Sequence, residues 1–432
     1  MADELDPGAI DSAELTSDTQ SVTVATISRL VDNGDRVLDK LNEMARSEGE
    51  GDKGGPRGYT ITEVSRMIDR TPEAIRRAEK DGRLEAPKKR ENGRRMPYSL
   101  SQINAMRDLW DLRPGLGYRE GPVRMSWQNF KGGVGKSTLT CHCAQYLARA
   151  GYRVLLVDCD SQASATMTFG FRPDVDIEGD ETLLPFLTDE ADDLAYAIQA
   201  TQWDGLDLIP SNLQLYSAEY YLAARGGPSG AGALDRLHEG LKTVELAYDI
   251  VILDPPPALG MIALSVLRSL DGLIIPTPAA MYDFHSTATF LSMLEEIYEV
   301  LEKRLGEPCE LEFLKLVLSK ATPERPSWGY IAALLQSSYG GSLLHNSLVQ
   351  SAEIDNAASL WSTVYDLDKP TASRETYRRC IDSLDSVFGE VEELLQAVWQ
   401  ARASSRTLSN TGPEGQGRAA KGRPAAPELA TL

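Results

Sequence analysis

The sequence predicts an α/β fold, a mostly parallel sheet covered by helices on both faces, preceded by an α-helical winged helix-turn-helix module. Three observations point there. A glycine-rich stretch, FKGGVGKST at 130–138, lies between an apolar run and a helical one. Six short apolar runs (VRMSWQN, YRVLLVD, GLDLIPS, YDIVILD, GLIIPTP and LKLVLSK) alternate with longer helix-period segments. Strands that are apolar throughout belong to a parallel sheet buried on both faces. Ahead of them, residues 58–113 hold a compact, basic pattern of helix caps and turns.

Taken in order, residues 1–20 are acidic without a single Lys or Arg, and are expected to be disordered. Residues 21–47 place Ile27, Leu30 and Val31, then Val37, Leu38 and Leu41, at helical spacings. They predict an N-terminal helix, a possible dimerisation element, interrupted at Asn33-Gly34. SEGEGDKGGPRG then reads as a linker. In the 58–113 module, Thr60-x-x-Glu63 is a capping box opening a short helix. Thr71-Pro72 opens a second, AIRRAEK, which ends at Gly82. Asn92-Gly93 turns a basic hairpin, and Ser99-x-x-Gln102 starts a third helix. A second linker, RPGLGYREGP, leads into the α/β domain at 122–402. Its last helix is ETYRRCIDSLDSVFGEVEELLQAVWQ, and the Gly/Pro/Ala/Ser-rich stretch 403–432 reads as a disordered tail.

Composition narrows the function classes. The net charge of -20 over 432 residues means that binding to nucleic acid must come from a local basic patch. The five cysteines (141, 143, 159, 309 and 380) are dispersed and the four histidines isolated, which suits a reducing compartment and offers no metal cluster. No signal pattern opens the chain, and no apolar run is long enough to span a bilayer. A cytoplasmic protein without a membrane partner is expected.

The chemistry is expected at the glycine-rich loop. A triphosphate concentrates negative charge, and a loop of small residues followed by a helix aims backbone N–H groups and the helix's positive end at it. Gly132, Gly133, Val134 and Gly135 form the cradle of a P-loop NTPase, Lys136 reaches the outer phosphates, and the Ser137 hydroxyl can hold Mg²⁺. One place departs from the usual loop: Phe130 stands six residues before the lysine, where a glycine is common. Phosphoryl transfer to water also needs a metal anchor and a group that positions the water. Asp158, Asp160 and Asp254, at the ends of two apolar runs, are the carboxylates to supply them. Asp158 reads equally well as a structural acceptor.

A second function is written in charge. From Arg57 to Arg95 there are twelve Lys/Arg against seven Asp/Glu, a local +5. That is the footprint of phosphate contacts. Arg76, Arg77 and Lys80 share a face of the second helix, the expected DNA-recognition helix. Lys88, Lys89, Arg90, Arg94 and Arg95 decorate the wing. A solvated basic surface or a protein-docking module is the other reading.

Together FKGGVGKST, VLLVDCDSQASAT, VILDPPP and IIPTPAAMYDFHST resemble the ParA family of partition ATPases, of the deviant Walker A class. Within it the likeness is to the long RepA-type partition proteins with an N-terminal helix-turn-helix, and it runs from about Tyr59 to Trp399. The resemblance implies ATP and Mg²⁺ as ligands and a sandwich homodimer with two ATP molecules between subunits. Lys131 resembles the signature lysine that reaches the partner's nucleotide, so the missing early glycine is a feature of the class. Lys136 resembles the phosphate-binding lysine and Ser137 the Mg²⁺ ligand. Thr138 resembles the residue beside the α-phosphate, Asp160 the aspartate that orients the attacking water, and Asp254 the aspartate holding Mg²⁺ through water.

One departure is that the family's Asp-Pro-Gln is Asp160-Ser161-Gln162 here, which puts the placement of Asp160 in question. SLVQSAEIDNAAS (347–359) resembles the segment closing over adenine. The resemblance further implies slow ATP hydrolysis stimulated by a ParB-like centromere-binding partner. It implies nucleoid association in the ATP state, operator binding with self-repression through the helix-turn-helix, and non-specific DNA binding by the ATPase domain. Lys315, Lys320, Arg325, Arg374, Arg378 and Arg379 are the cations available for the last. Two other readings share the loop: a DNA-binding regulator with an ATP/ADP conformational switch, and a MinD-like positioning ATPase. The second should end in a basic amphipathic helix, which acidic EVEELLQAVWQ is not.

Overall fold

Capping chemistry sets the first elements of the computed structural model, which describes residues 57–115 and 121–410 except 174, 226–230, 279, 307 and 368, plus scattered positions between Val24 and Arg36. The chain divides into units Met1–Gly55 and Pro56–Leu432. In the first, Val24, Ser28, Arg29, residues 31–34 and Arg36 are helical, so the interruption expected at Asn33-Gly34 does not occur. The expected disorder of 1–20 and the rest of the 21–47 helix lie outside the described residues.

In the second unit α1 (Ile61–Met67) starts at the Thr60/Glu63 capping box, and α2 (Pro72–Lys80) at Thr71 with Pro72 in its first turn. The hairpin turns at Gly93, whose φ is +75°, and closes with a bridge between Lys89 and Arg95. The Ser99/Gln102 box opens α3 (Leu100–Leu109). Tyr59, Val64, Ile68, Ile75, Ala78, Ile103 and Met106 form a small core of their own.

The remainder is built on β1 (Val123–Trp127), α4 (Lys136–Ala150), β2 (Val154–Asp158), α5 (Ser164–Thr168), α6 (Leu184–Leu187), β3 (Gln199–Ala200) and β4 (Leu206–Ile209). It continues with α7 (Tyr216–Arg225), α8 (Ala231–Val244), β5 (Ile250–Asp254), α9 (Met261–Ser269), β6 (Gly272–Pro278) and α10 (Met281–Leu305). β7 (Phe313–Ser319), α11 (Pro326–Tyr339), α12 (Ala352–Ala358) and α13 (Arg374–Asn410) complete it. The sheet order is β3-β4-β2-β5-β1-β6-β7. Every pairing is parallel except the short β3–β4 edge, which no apolar run in the sequence announces.

Successive strand residues face opposite layers. Met125, Trp127, Leu156 and Ile252 pack with Tyr152, Phe388 and Trp399 on one side, while Leu155, Val157, Leu253 and Ile275 pack with Phe186 and Phe290 on the other. This double burial is why the strands read as unbroken apolar runs. Helix α13 continues to Asn410, past the expected tail boundary at 402. Ala401, Arg402 and Ala403 favour helix, and Arg402 is tied to Glu312 and to the Pro122 carbonyl at 2.7 Å. Residues 411–432 of the expected tail lie outside the described residues.

The module of α1–α3 and the basic hairpin is fastened to the sheet domain through α3 and the C-terminal end of α4. Leu100 joins the main core. Arg107, 2% exposed, donates to Asn104 Oδ1 at 2.6 Å and to the Arg149 carbonyl at 2.7 Å. Asn104 donates to Asp204 at 2.6 Å, and Arg113 to the Gly151 carbonyl at 3.1 Å.

Candidate functional site

The loop between β1 and α4 is built from both ends. At its start Gln128 N–H bonds to the Ile274 carbonyl and the Asn129 side chain to the Pro276 carbonyl, stapling it to β6. Phe130, in the place of the usual early glycine, packs edge-on against Phe290 of α10, with ring centroids 4.8 Å apart. The position serves as an apolar anchor of the loop on the core. At its end Gly133 and Gly135 have φ of +71° and +96°, and a Cβ added at Gly132 or Gly133 would meet nothing within 4 Å. The loop is open on the side where a ligand would lie. Gly135 caps α4 without a side-chain bond, so the positive end of a 15-residue helix faces that opening.

Lys131, half-buried, pairs within its own subunit with Asp283 in the first turn of α10. Nothing in the spacing of the sequence announces that partner. Lys136 is 7% exposed and lies among carboxylates. Burial lowers its pKa below the usual lysine range, while the charges of Asp254 and Asp160 pull the other way.

The carboxylates converge because β2 and β5 are neighbours in register, with Asp158 opposite Asp254. Their environments differ. Asp158 accepts from Thr166 N–H and Oγ1–H at 2.8 and 2.7 Å and from Asp160 N–H at 3.1 Å. It is a structural acceptor, though burial still pushes its pKa up to about 7. Asp160 accepts from Gln162 N–H at 3.0 Å, and the Ala163 N–H bonds to the Asp160 carbonyl at 2.9 Å. The turn therefore closes with Ser161 in place of proline. Burial raises the Asp160 pKa, held back by the Gln162 N–H and by Lys136.

Both oxygens of Asp254 are buried without a hydrogen-bond partner. Burial first, and the Asp158 charge second, push its pKa well above the usual carboxylate range. The Ser137 hydroxyl stands close enough to favour the charged form without completing a hydrogen bond of ordinary geometry. Buried polar groups are almost always paired. An orphaned carboxylate beside a hydroxyl fits a hard, hydrated cation such as Mg²⁺, which prefers oxygen donors and keeps several of its waters. Ser137 and Asp254 are the residues that would hold it. Thr138, partly buried in the first turn of α4, accepts from His142 Nδ1–H at 2.6 Å through its carbonyl, leaving its hydroxyl available. His142 Nε2 accepts from Val364 N–H at 3.2 Å, so the ring is neutral, and burial lowers its pKa.

In the basic module Arg76, Arg77, Lys80, Lys88, Lys89, Arg90, Arg94 and Arg95 are all exposed. Arg95 is committed in part: it and Tyr98 both donate to the nearly buried Glu79, at 2.5 and 2.8 Å, holding the wing against α2. Of the other cations considered for DNA, Lys315 donates to the Gly341 carbonyl, Lys320 to the Gly133 carbonyl, and Arg379 and Arg378 pair with Glu324 and Asp382. Cys141, Cys143, Cys159 and Cys380 are buried. No described helix is long and apolar enough to cross a membrane.

Comparison with known proteins agrees with the fold and extends it. A family model described as an AAA domain matches residues 124–306. Protein SopA of Escherichia coli (strain K12) is 32% identical over 80% of this chain and 90% of its own. A putative replication protein A of Sinorhizobium fredii is 28% identical over 87% and 95%. The chromosome-partitioning ATPase Soj of Thermus thermophilus is 29% identical over 62% and 97%. Among solved structures, one described as a partition protein covers 86% of this chain and 98% of its own with a TM-score of 0.61 at 20% identity. An ATP complex of Cyanothece McdA covers 64% and 97% with a TM-score of 0.52 at 22% identity. The structural likenesses establish a P-loop NTPase fold. The SopA match, long and reaching across most of both chains, goes further: the chain belongs to the ParA family of partition ATPases.

Proposed function

We propose that this chain is a DNA-segregating ATPase that binds Mg²⁺ and ATP at the open glycine loop, pairs with a second copy while ATP is bound, and releases DNA when ATP is hydrolysed. The observation that supports it most is the buried, unpaired Asp254 carboxylate beside Ser137 and Lys136 at the mouth of that loop. Such an arrangement is unfavourable unless a ligand completes it. Backbone N–H groups of 132–135 and Lys136 bind the phosphates. Asp160, fixed by its turn, orients a water for attack. Mg²⁺, when bound, neutralises charge that develops on the phosphates.

Lys131 acts across the dimer. To do so it must leave Asp283, exchanging an internal ion pair for the partner's nucleotide. Exposed cations on α2 and the wing contact operator DNA and allow self-repression, while nucleoid DNA binds the ATP-loaded dimer without sequence preference. A ParB-like centromere-binding protein stimulates hydrolysis, and the chain is cytoplasmic, associated with the nucleoid when ATP-bound.

Phosphate release by the full chain with Mg²⁺-ATP, with and without DNA, tests the core of this reading. Slow turnover is expected, lost by roughly 10²-fold or more in Asp160→Ala while ATP-dependent dimerisation persists. Unchanged phosphate release in Asp160→Ala would remove the assigned role. A wild-type chain that binds ATP and never turns it over would favour the conformational-switch reading.

A further inference from the structure

Lys320, the first residue after β7, combines two features that need a common cause. Its φ is +49°, a backbone conformation unfavourable for a residue with a Cβ. Its Nζ donates to the carbonyl of Gly133, in the phosphate loop, at 2.6 Å. The conformation is held from both sides: Ala321 N–H bonds to the Leu348 carbonyl at 2.8 Å, and Gln350 N–H to the Ala321 carbonyl at 3.0 Å. Glycine would satisfy such a backbone with less strain. A lysine there points to use of the side chain.

The peptide plane states what that use is. In a trans peptide, C=O and the following N–H point in opposite directions. The ammonium of exposed Lys320 therefore fixes the direction of the Gly133 carbonyl. The Val134 N–H of the same peptide must then point away from Lys320. Gly133, at φ +71°, has no side chain to fix this plane, and a glycine backbone rotates with little steric resistance. Ser319, next to Lys320, adds a buried hydroxyl without a partner at the same sheet edge.

We propose that Lys320 is a positioning residue for nucleotide binding: its ammonium locks the Gly133–Val134 peptide with the N–H donor facing the phosphates. This rests on the loop being the ATP site, as argued above. Lys320 is then withdrawn from the DNA-binding cations and acts through the loop on the nucleotide.

The test is equilibrium titration of the full chain with a fluorescent ATP analogue and Mg²⁺, in wild type, Lys320→Met, Lys320→Gly and Lys320→Arg. Met keeps the stem and removes the ammonium, whereas Gly also relieves the backbone. Loss of a charge-assisted hydrogen bond should weaken binding about tenfold or more in both, with Arg recovering most of it. Turnover should show the loss as a raised KM with kcat changed less than about twofold. A purely structural role would instead lower the thermal midpoint of the nucleotide-free protein. Here that midpoint should stay within about 1 °C in Lys320→Met and hold or rise in Lys320→Gly. Wild-type affinity in both variants would overturn the proposal and leave the ATP site standing. A wild-type chain that bound no nucleotide would overturn the site reading and this one with it.

Discussion

The two ends of helix α4 are finished differently. The C-terminal end is closed. Gly151 takes φ +111°, its N–H and that of Tyr152 return to α4 carbonyls, and Arg107 and Arg113 cover the Arg149 and Gly151 carbonyls. Two guanidiniums at the negative end of a helix are also electrostatically favourable. The N-terminal end is open: glycines, no side-chain cap, and the orphaned Asp254 nearby. A helix end whose polar groups are covered serves as a joint, whereas one left open beside an orphaned carboxylate is suited to a ligand. Here the closed end holds the α1–α3 module and the open end carries the proposed nucleotide loop, roughly 22 Å apart along 15 residues.

The sharpest way to separate the two ends is to remove the module's proposed DNA contacts. Joint Arg76→Ala and Arg77→Ala should weaken operator binding about a hundredfold, at about 1–3 kcal/mol per contact, with basal ATP turnover unchanged. A mobility-shift titration and a phosphate-release assay on the same preparation check both. Equal operator retention by variant and wild type would leave the basic face without a DNA role.

At the open end the expected signature is a pH dependence. Asp254's folded pKa lies well above its ordinary value of 3.8. The folded state therefore holds that proton more tightly than the unfolded chain does, and ionisation subtracts stability as pH rises above the ordinary range. Asp254→Asn removes the ionisation. In the nucleotide-free protein the variant's thermal midpoint should gain on wild type between pH 5 and pH 8, by roughly 2–4 °C for each kcal/mol. A difference independent of pH would mean that Asp254 is solvated after all.

At the closed end the effect should be smaller. Gly151→Ala puts a Cβ 2.9 Å from Arg107 Cδ at a positive φ, and should lower stability by about 1–2 kcal/mol. Calorimetry should show the loss, with nucleotide affinity preserved. Loss of affinity in step with stability would mean that the two ends are not independent.

What the sequence revealed follows the same division. Strand ends, helix caps and the glycine loop are local signals, so VLLVD, VILD, Thr60/Glu63 and GGVGKS place their elements and three carboxylates without a structure. The N–H groups that single out Asp158 as structural come from its own following turn and helix, also within reach of sequence. The partners that complete the site are not local. Lys131 meets Asp283 across 152 positions, Lys320 meets Gly133 across 187, and His142 meets Val364 across 222. No period or motif spacing encodes such pairs, because they arise only once the sheet order brings β6, β7 and the 345–366 segment beside the loop. For the same reason the sequence offers Lys320 only as one of the cations available for DNA.

Sedimentation velocity of wild type and Lys131→Ala, each with Mg²⁺ and a non-hydrolysable ATP analogue, tests most directly whether the occupied open end joins two copies. The result expected is a wild-type dimer and a folded variant that stays monomeric at the same concentration while still binding the analogue. Dimerisation of Lys131→Ala at wild-type strength would contradict it.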